Sequence, residues 1–420
     1  MNWDKKTLGA IYDEEGGKVQ TGPFGSQLHE SDYKDYGIPV IMPKDIKEDK
    51  LDLSSIARIS EIDANRLKQH LVILNDIIFP RRGEINKRIL IDEETSGSFC
   101  GTGCIRLRGS GEIINPLFLF YYLKQTSIVK WLENQAIGAT MMNLNTTILR
   151  SIPINYPEHP TQKKIASILS AYDDLIENNN QRITLLEDMA GDIYKEWFVR
   201  FRFPNYQNTK FLDKDGNAVA HGTKGAIPEG WERKLVRDIV KRYNAGEKYD
   251  NKTALEKGNV PILDQGQSGL IGYHNDEPGV LASMDDPIIV FANHTCYQNL
   301  IQFNFSAIQN ILPFKSNEEY DRDIFWLHYA TKDLIVFNDY KGHWPEFSTK
   351  KVVVPRQGID EQFGDIVKPM INEIELLKNK NQILQDTRDL LLPRLISGKL
   401  SVEDLEIEEM NMAAEPETKY

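Results

Sequence analysis

The segment from Gln162 to Phe198 constrains the fold more than any other part of the chain. It contains one glycine, Gly191, and no proline, and its apolar residues recur at steps of three and four with one slip around Asn179. This spacing predicts an amphipathic helix with an apolar seam, the stripe through which two helices pack. Such a helix is roughly 55 Å long, longer than a small domain is wide, so it needs a partner. The predicted seam residues are Ile165, Ile168, Tyr172, Leu175, Ile183 and Leu186.

A matching segment lies about 200 residues later in the same chain. From Phe363 to Leu395 its apolar residues alternate steps of four and three throughout, which predicts the partner helix. Two polar residues, Asn381 and Arg388, interrupt this second seam. They are either tolerated polarity at a helix surface or, for the asparagine, a buried group that fixes the register of the two helices. The predicted seam residues here are Val367, Met370, Ile374, Leu377, Asn381, Leu384, Arg388 and Leu391.

The segments that flank the two helices are also repeated. SIPINYPEHPTQ precedes the first helix and VVVPRQGIDEQ the second, and Trp231–Ile239 resembles Trp3–Ile11. Internal repetition of this kind predicts two halves, each a globular module followed by a long helix. Short strand patterns between turn residues give the modules an α+β class. The predicted domains are a first module (1–155), a first long helix (156–203), a second module (204–355), a second long helix (356–400) and an acidic, disordered tail (401–420).

Composition narrows the class of protein only slightly. The formal net charge is −12, but the segment after Leu400 holds seven acidic residues and one basic residue, so the globular parts are closer to neutral. The total charge therefore neither excludes DNA as a partner nor argues for it. Three cysteines in 420 residues and no signal-peptide pattern predict reduced thiols and a cytoplasmic location. No apolar run is long enough to span a membrane.

Motifs for catalysis are missing from the sequence. Nothing fits a phosphate-binding Walker loop or a dinucleotide-binding glycine motif. The Glu48–Lys50 stretch is more typical of a solvated loop than of a nuclease. Cys100 and Cys104 are too widely spaced for a zinc site, and His294 with Cys296 lacks a third group. We therefore expect no catalytic residue, no metal and no cofactor on this chain.

Loops rich in glycine, amides and basic residues are the candidate DNA contacts. Arginine suits bidentate contact with guanine, and asparagine or glutamine suits adenine. Lysines and the backbone amides of the Gly25–Ser26 turn suit phosphate. Taken singly, each such residue is more typical of an ordinary surface. The candidates are Lys18, Thr21, Gly25, Ser26, Gln27, Lys44, Arg81, Arg82, Gln265, Gln267, Ser268, Asn293, His294, Gln298, Lys341 and His343.

Several stretches together resemble the specificity subunit of type I restriction-modification systems. They are TGPFGSQL with GIPVIMPKDI, RRGE at 81–84, CGTGCIRLR, QKKIASILSAYDDLIENNNQRITLLE running into YKEWFVRF, GYHNDEP with FANHTCY, and RDLLLPRLISGKLS. The resemblance covers the chain to about residue 402. It implies two target-recognition domains joined by two antiparallel helices that act as a spacer, each domain reading one half of an asymmetric, split site in double-stranded DNA.

The same resemblance implies partners and cofactors. The helices would dock methyltransferase subunits, two in number, and restriction subunits would join that core. S-adenosylmethionine, ATP and Mg²⁺ would bind to those partners rather than to this chain. Two other interpretations stay open from the residues alone: a single-chain DNA methyltransferase or nuclease, and a coiled-coil adaptor with no DNA role.

Overall fold

The chain divides into two compact units. A computed structural model describes residues 3–47, 49–136, 143–266, 269–337 and 342–402. The first unit comprises residues 1–176 and 382–420, and the second comprises residues 177–381. Both units mix helices with short strands, which confirms the predicted α+β class. Each unit holds one globular module together with a part of both long helices.

In the first module, the two ends of the module pair with each other. Strand Asp4–Thr7 runs antiparallel to strand Pro153–Tyr156, which directly precedes the first long helix. The Thr7 hydroxyl accepts a hydrogen bond from the backbone N–H of Ala10 (3.2 Å) and thereby caps helix Leu8–Glu15. The first strand is therefore paired with the strand that leads into the long helix.

Two four-stranded sheets form the body of the first module. One has the order Lys18–Thr21, Cys104–Arg108, Ile77–Pro80, Ile89–Leu90, with antiparallel neighbours. The other has the order Phe99–Cys100, Ile38–Ile41, Arg58–Ile59, Tyr33–Lys34, and its first pair is parallel. A hairpin of Ile46–Lys47 with Lys50–Leu51 and the helices Glu61–Arg66, Pro116–Lys124, Thr126–Gln135 and Thr146–Arg150 complete it.

The second module follows the same scheme. Strand Glu232–Leu235 pairs with Lys351–Val354, which precedes the second long helix. One sheet has the order Val240–Arg242, Ile311–Ser316, Ile288–Ala292, Gln298–Ile301, and the other Lys248–Tyr249, Ser306–Ile308, Val260–Leu263, Leu270–His274. The helices are Val236–Ile239, Ile324–Thr331 and Trp344–Ser348. A small sheet of Ala218–Val219, Phe211–Leu212 and Ile227–Pro228 precedes the module.

The sheet that contains Lys18–Thr21 in the first module has the same topology as the sheet that contains Val240–Arg242 in the second. Numbered within the sheet in chain order, its strands are arranged 1-4-2-3 in each case, and all neighbours are antiparallel. In both modules a helix capped by an asparagine or aspartate follows the last strand of this sheet. The internal repeat therefore extends from the long helices into the modules, although the module sequences differ.

The two long helices, His159–Tyr194 and Ile359–Ile396, are antiparallel within each unit. In the first unit Ile165 shares a core with Leu395, and Asp173 forms an ion pair with Arg388. Sequence numbers rise along one helix while they fall along the other. In the second unit the same is true, because Asn180 contacts Asn381 while the Tyr194 ring packs against Phe363 at 6.0 Å between centroids. A π-helical turn, Lys195–Val199, ends the first helix.

One predicted seam residue is wrong. Leu175 is 53% exposed, and the neighbouring Ile176 is buried in its place. Leu169, which was not predicted, is also buried, while Ile168 is half-buried. With Leu169, Ile176 and Asn179 included, the seam of the first helix steps by four and three with no slip. The polar Asn179 concealed this regularity, because an asparagine does not register as part of an apolar stripe.

The other predicted seam residues are buried or half-buried. The buried ones are Ile165, Ile183, Val367, Ile374, Leu377 and Asn381, and the half-buried ones are Ile168, Tyr172, Leu186, Met370, Leu384, Arg388 and Leu391. Ile183, Ile374 and Leu377 form a small core of their own.

A layer of asparagines interrupts the seam in the second unit. The Asn179 side-chain amide donates to the Asn381 side-chain oxygen (2.8 Å), and the Asn381 amide donates to the Asn180 oxygen (2.8 Å). Asn381 is only 8% exposed. Because a buried amide without a partner is costly, this asparagine layer favours one register of the helices over its neighbours.

Candidate nucleic-acid interface

In the first module, the turn after strand Ile77–Pro80 carries two arginines that differ in exposure. The backbone N–H of Arg81 donates to the Gly103 carbonyl (2.7 Å), and its own carbonyl accepts from the N–H of Leu144 (2.8 Å). Arg81 is half-buried, whereas the next residue, Arg82, is exposed. The turn is thus anchored through the first arginine and leaves the second open to a ligand.

Three glycines allow several loops to meet beside this turn. A Cβ at Gly22 would lie 1.9 Å from the Gly101 carbonyl oxygen, and one at Gly101 would lie 2.6 Å from the Ile41 carbonyl oxygen. A Cβ at Gly103 would lie 2.9 Å from the Pro43 ring. No other residue fits such close backbone approaches. We refer to Gly22, Gly101 and Gly103 as the glycine crossing.

The glycine crossing brings together three of the predicted contact residues. Thr21 directly precedes its first glycine, Lys44 follows the proline that packs on its third, and Arg81 is hydrogen-bonded to that third glycine. The remaining candidates of this module lie on the adjoining strand and loop. Lys18 is exposed at the start of strand Lys18–Thr21.

The loop that follows the glycine crossing is a compact turn. The Gln27 side-chain oxygen accepts from the N–H of Phe24 (3.1 Å), and the Gln27 N–H donates to the Phe24 carbonyl (2.8 Å). Gly25 and Ser26 are exposed at its tip, as is the Phe24 ring. Gln27 therefore shapes the turn, while the tip carries the accessible groups.

Basic side chains near the glycine crossing lack the ion pairs that neutralise the arginines of the neighbouring sheet. Arg108 is held by Asp76 through Nε (2.7 Å) and Nη2 (2.5 Å). By contrast, within the described ranges Lys44 and Arg82, which adjoin the glycine crossing, form no ion pair at 4 Å or less. Lys18 also forms none, but it lies at the far end of its strand, opposite Arg108. Surface charges left unpaired in one area create the positive potential that phosphate contacts require.

The second module has an anchored turn after strand Ile288–Ala292. The N–H of Asn293 donates to the Asn310 carbonyl (2.9 Å), and its carbonyl accepts from the N–H of His343 (2.8 Å). The Asn293 side-chain oxygen also accepts from the N–H of Trp344 (2.8 Å). The next residue, His294, is exposed. The structure brings Asn293 and His294 together as it does the two arginines.

Gln265 supports the same turn from another loop. Its side-chain oxygen accepts from the N–H of His294 (2.9 Å), and its carbonyl accepts from the Thr295 hydroxyl (2.6 Å). An open cleft of about 530 Å³ lies on one side of Gln265, lined in part by Tyr297 and Phe337. Gln265 thus positions the turn, and its side chain is not free for a base.

Two predicted contact residues, Gln298 and His343, are wrong because they are buried. Gln298 is 7% exposed, and its amide donates to the His328 carbonyl (2.9 Å). Burial lowers the pKa of His328 to about 3, so that ring is neutral inside the module. His343 is 1% exposed and packs near the Phe337 ring. Neither side chain reaches the surface on which DNA would lie.

Three further candidates, Gln267, Ser268 and Lys341, lie outside the described residues, as do Glu48 and residues 403–420. Those candidates stay predictions. The other candidates stay predictions too: the exposed ones are Lys18, Gly25, Ser26, Lys44, Arg82 and His294, and the half-buried ones are Thr21, Gln27, Arg81, Gln265 and Asn293.

A loop of the second module escaped the sequence reasoning. Residues 243–247 follow strand Val240–Arg242 just as the Gly25–Ser26 turn follows strand Lys18–Thr21. Tyr243 is partly exposed there, and Lys248 is exposed just beyond. The repeated Trp3 and Trp231 segments could have located this loop. The correspondence is hard to see in the sequence, because the helix before this strand has four residues in the second module and eight in the first.

Two further findings concern the described residues as a set. Among them, no group of three or more histidine, cysteine, aspartate or glutamate side chains is arranged to hold a metal ion. None of their helices combines the length and apolarity needed to cross a bilayer.

Comparison with known proteins gives a consistent family. Residues 2–188 match the type I restriction modification DNA specificity domain. The MjaIX specificity subunit of a type I restriction enzyme from Methanocaldococcus jannaschii is 26% identical over 311 residues, 69% of this chain and 70% of that protein. The resemblance to type I specificity subunits is confirmed.

The similarity to specificity subunits extends beyond the matched domain. The putative MjaX specificity subunit of the same organism is 23% identical over 394 residues, 87% of this chain and 88% of that protein. The crystal structure of a type I restriction-modification S subunit from M. genitalium has a TM-score of 0.59 at 17% identity, covering 94% of this chain and 96% of that one. At that identity the structural likeness concerns the fold.

Proposed function

We propose that this chain is the specificity subunit of a type I restriction-modification complex. It reads an asymmetric, bipartite site in double-stranded DNA and contributes no catalysis. The observation that carries this proposal is the pair of modules with one sheet topology and different exposed side chains at the equivalent turn, Arg82 in one and His294 in the other. The family match of residues 2–188 supports it.

Two modules of one plan suit a split site. A single polypeptide with an internal repeat imitates a two-fold dimer on DNA, with each module facing one half-site. Because the exposed side chains of the two modules differ, the two half-sites differ in sequence. The methyl transfer and the cleavage, with S-adenosylmethionine, ATP and Mg²⁺, belong to the partner subunits.

The helix pair sets the number of unread base pairs between the half-sites. Each long helix is continuous over more than 35 residues. The asparagine layer and the Asp173–Arg388 ion pair favour a single register. A rod of fixed length and fixed register is what a constant gap requires.

Methyltransferase subunits dock on the long helices. Large apolar side chains are exposed there in both units: Leu185, Met189 and Leu376 in the second, and Ile383 and Leu390 in the first. Exposed apolar residues on a helix favour packing by further helices. A patch in each unit supports two methyltransferase subunits, with restriction subunits joining that core.

Shortening the helices tests this function. Deleting residues 177–183 and 378–384 together removes one heptad from each seam and keeps the remaining residues in phase. The loss of about 10 Å should shorten the gap by about three base pairs and leave both half-sites unchanged. The readout is sequencing of the sites methylated by the assembled complex.

The matched control exchanges Gln181 and Gln382, both exposed, for alanine and should keep the natural gap. An unchanged gap in an active deletion complex would contradict the spacer role. Methylation or cleavage of DNA by the purified chain alone, with S-adenosylmethionine and Mg²⁺, would contradict the non-catalytic role. DNA binding that does not weaken with salt, or is absent, would contradict the DNA-reading role.

A further inference from the structure

We infer that Arg82 and His294 are equivalent base-reading residues, one for each half-site, and that Arg81 and Asn293 are the positioning residues that orient them. This inference rests on the proposed function and specifies which side chains carry it. Arg81 and Arg82 have the same side-chain chemistry, but only Arg82 is exposed.

The backbone of the two turns is held in the same way. In each, the first residue donates its N–H to the residue that precedes the last strand of the sheet, at 2.7 Å for Arg81 and 2.9 Å for Asn293. In each, the carbonyl of the first residue accepts from an N–H just before the short helix that precedes the module's final strand. The donor is Leu144 for Arg81 and His343 for Asn293, both at 2.8 Å. Two modules of different sequence therefore place the following residue in the same backbone setting.

The side chains of the two turns also differ between the anchoring residue and the residue that follows it. Both anchoring residues are half-buried, and the Nε of Arg81 is inaccessible to solvent. The Asn293 side-chain oxygen is occupied by the N–H of Trp344. The residues that follow them, Arg82 and His294, are exposed, and across the described ranges their side chains form no hydrogen bond or ion pair. An exposed polar side chain on a fixed backbone turn can contact a base without first breaking a bond inside the protein.

The chemistry of the two readers predicts what each recognises. A guanidinium donates two parallel hydrogen bonds to the O6 and N7 acceptors of guanine, so Arg82 reads a guanine. An imidazole offers one nitrogen toward a base edge, so His294 reads a purine through a single hydrogen bond. We therefore expect stronger discrimination at one position of the first half-site than at the matching position of the second.

The test uses the full chain assembled with its methyltransferase subunits and a duplex library randomised in both half-sites. Arg82→Ala should reduce the preference for guanine at one position by about tenfold, with no change in the other half-site. His294→Ala should reduce a purine preference by about threefold, in the other half-site only. Arg82→Lys keeps the charge but not the planar fork of the guanidinium, so it should weaken the guanine preference and retain overall affinity.

Positioning residues have a different signature. Arg81→Pro removes the N–H that donates to Gly103, and Asn293→Ala removes the acceptor of the Trp344 N–H. Each should weaken selection at all positions of its own half-site together, because the whole turn shifts. Lys5→Ala is a matched control, since Lys5 is exposed on the strand that pairs with Pro153–Tyr156 and should change no position.

The outcomes separate the inference from the proposed function. If the unmodified complex selects no bipartite sequence, the proposed function itself fails. If it does select one but Arg82→Ala weakens all DNA equally, or alters both half-sites, then Arg82 is a phosphate contact and the inference is wrong. Thermal melting of each variant shows whether it is folded. If Arg82→Ala is unstable, Arg82→Lys still tests the inference, because an undiminished guanine preference in that variant would contradict it.

Discussion

In both modules, a side chain near the start of the long helix accepts a hydrogen bond from a backbone N–H of the module, and we call this contact the joint. The accepting side chain is an amide in one module and a carboxylate in the other. In the first unit, the side-chain oxygen of Gln162 accepts from the N–H of Asn115 (2.8 Å). In the second unit, a carboxylate oxygen of Asp360 accepts from the N–H of Asp323 (3.1 Å). Asn115 and Asp323 each cap the helix that follows the last strand of the sheet.

This difference shows what the fold requires at the joint. An acceptor must meet the N–H of the helix-capping residue, and either an amide or a carboxylate supplies it. The carboxylates add a consequence that the amides lack. Burial raises the pKa of Asp323 to about 6, and the negative charges of Asp360 and Asp365 add to the shift. The joint of the second unit therefore holds two neighbouring carboxylates, Asp323 and Asp360, with Arg322 at 3.4 Å from Asp360.

A second difference lies inside the sheets. In the first module, the last strand of the sheet that begins with Lys18–Thr21 is Cys104–Arg108, and it carries the buried Arg106 and the half-buried Arg108 beside the buried Asp76. The strand pairing sets Pro313 of the second module at the position of Arg106 and Lys315 at that of Arg108, and Lys315 pairs with the exposed Asp286. The same sheet position thus holds an interior charge network in one module and a surface ion pair in the other.

The largest expected effect comes from breaking the charge network of the first module. Asp76→Ala removes the partner of Arg108, leaves Arg106 without a nearby counter-charge and frees the N–H of Ile73. Removing one partner of a buried ion pair costs about 3–5 kcal/mol of unfolding free energy. Hydrogen exchange should show protection lost across residues 3–136, with that of the second module unchanged.

Asp286→Ala is the matched control in the second module. Asp286 pairs with Lys315, but its side chain is 75% exposed, so the variant should cost less than about 1 kcal/mol. Equal losses for both variants would mean that the first module does not depend on its interior charges.

A smaller effect is expected in the asparagine layer. Asn381→Ala leaves the half-buried Asn179 amide without its acceptor and removes the donor to Asn180. We expect a loss of about 1–3 kcal/mol, measured by denaturant unfolding. The neighbouring Gln382→Ala, at an exposed position, should change stability by less than about 0.5 kcal/mol. If Asn381→Ala stabilised the chain, the layer would have no role in register.

The smallest effect concerns the joint of the second unit and depends on pH. The folded state holds the Asp323 proton more tightly than the unfolded chain, whose aspartate pKa is near 3.8. Stability should therefore fall as pH rises from about 4 to about 6. Asp323→Asn keeps the cap, removes this dependence and should add about 1–2 kcal/mol above pH 6.

Asn115→Asp provides the matched test in the first unit. The new carboxylate would face the neutral Gln162, so its pH dependence should be weaker than that of Asp323. If the stability profiles of Asp323→Asn and the unmodified chain ran parallel from pH 4 to pH 8, the raised pKa of Asp323 would be contradicted.

Sequence reasoning succeeded where the signal is local and periodic. A heptad pattern depends on the chain's own helical geometry, so the two long helices and the repeated modules could be anticipated. The antiparallel pairing of the helices was expected only from the resemblance to type I specificity subunits. The positions of Arg82 and His294 on exposed turns also followed from adjacent glycines and aromatic residues. What local pattern could not supply was which of two neighbouring residues faces a partner.

The sequence by itself determined that this chain has two long, regular helices and two modules of one class, because periodicity and repetition are properties of the chain. Only the tertiary structure decided that Ile176 rather than Leu175 enters the seam, and that Gln298 and His343 are interior residues. It alone showed that Arg81 anchors a turn while its neighbour is exposed. Burial is set by packing between segments distant in sequence, and no local pattern encodes that packing.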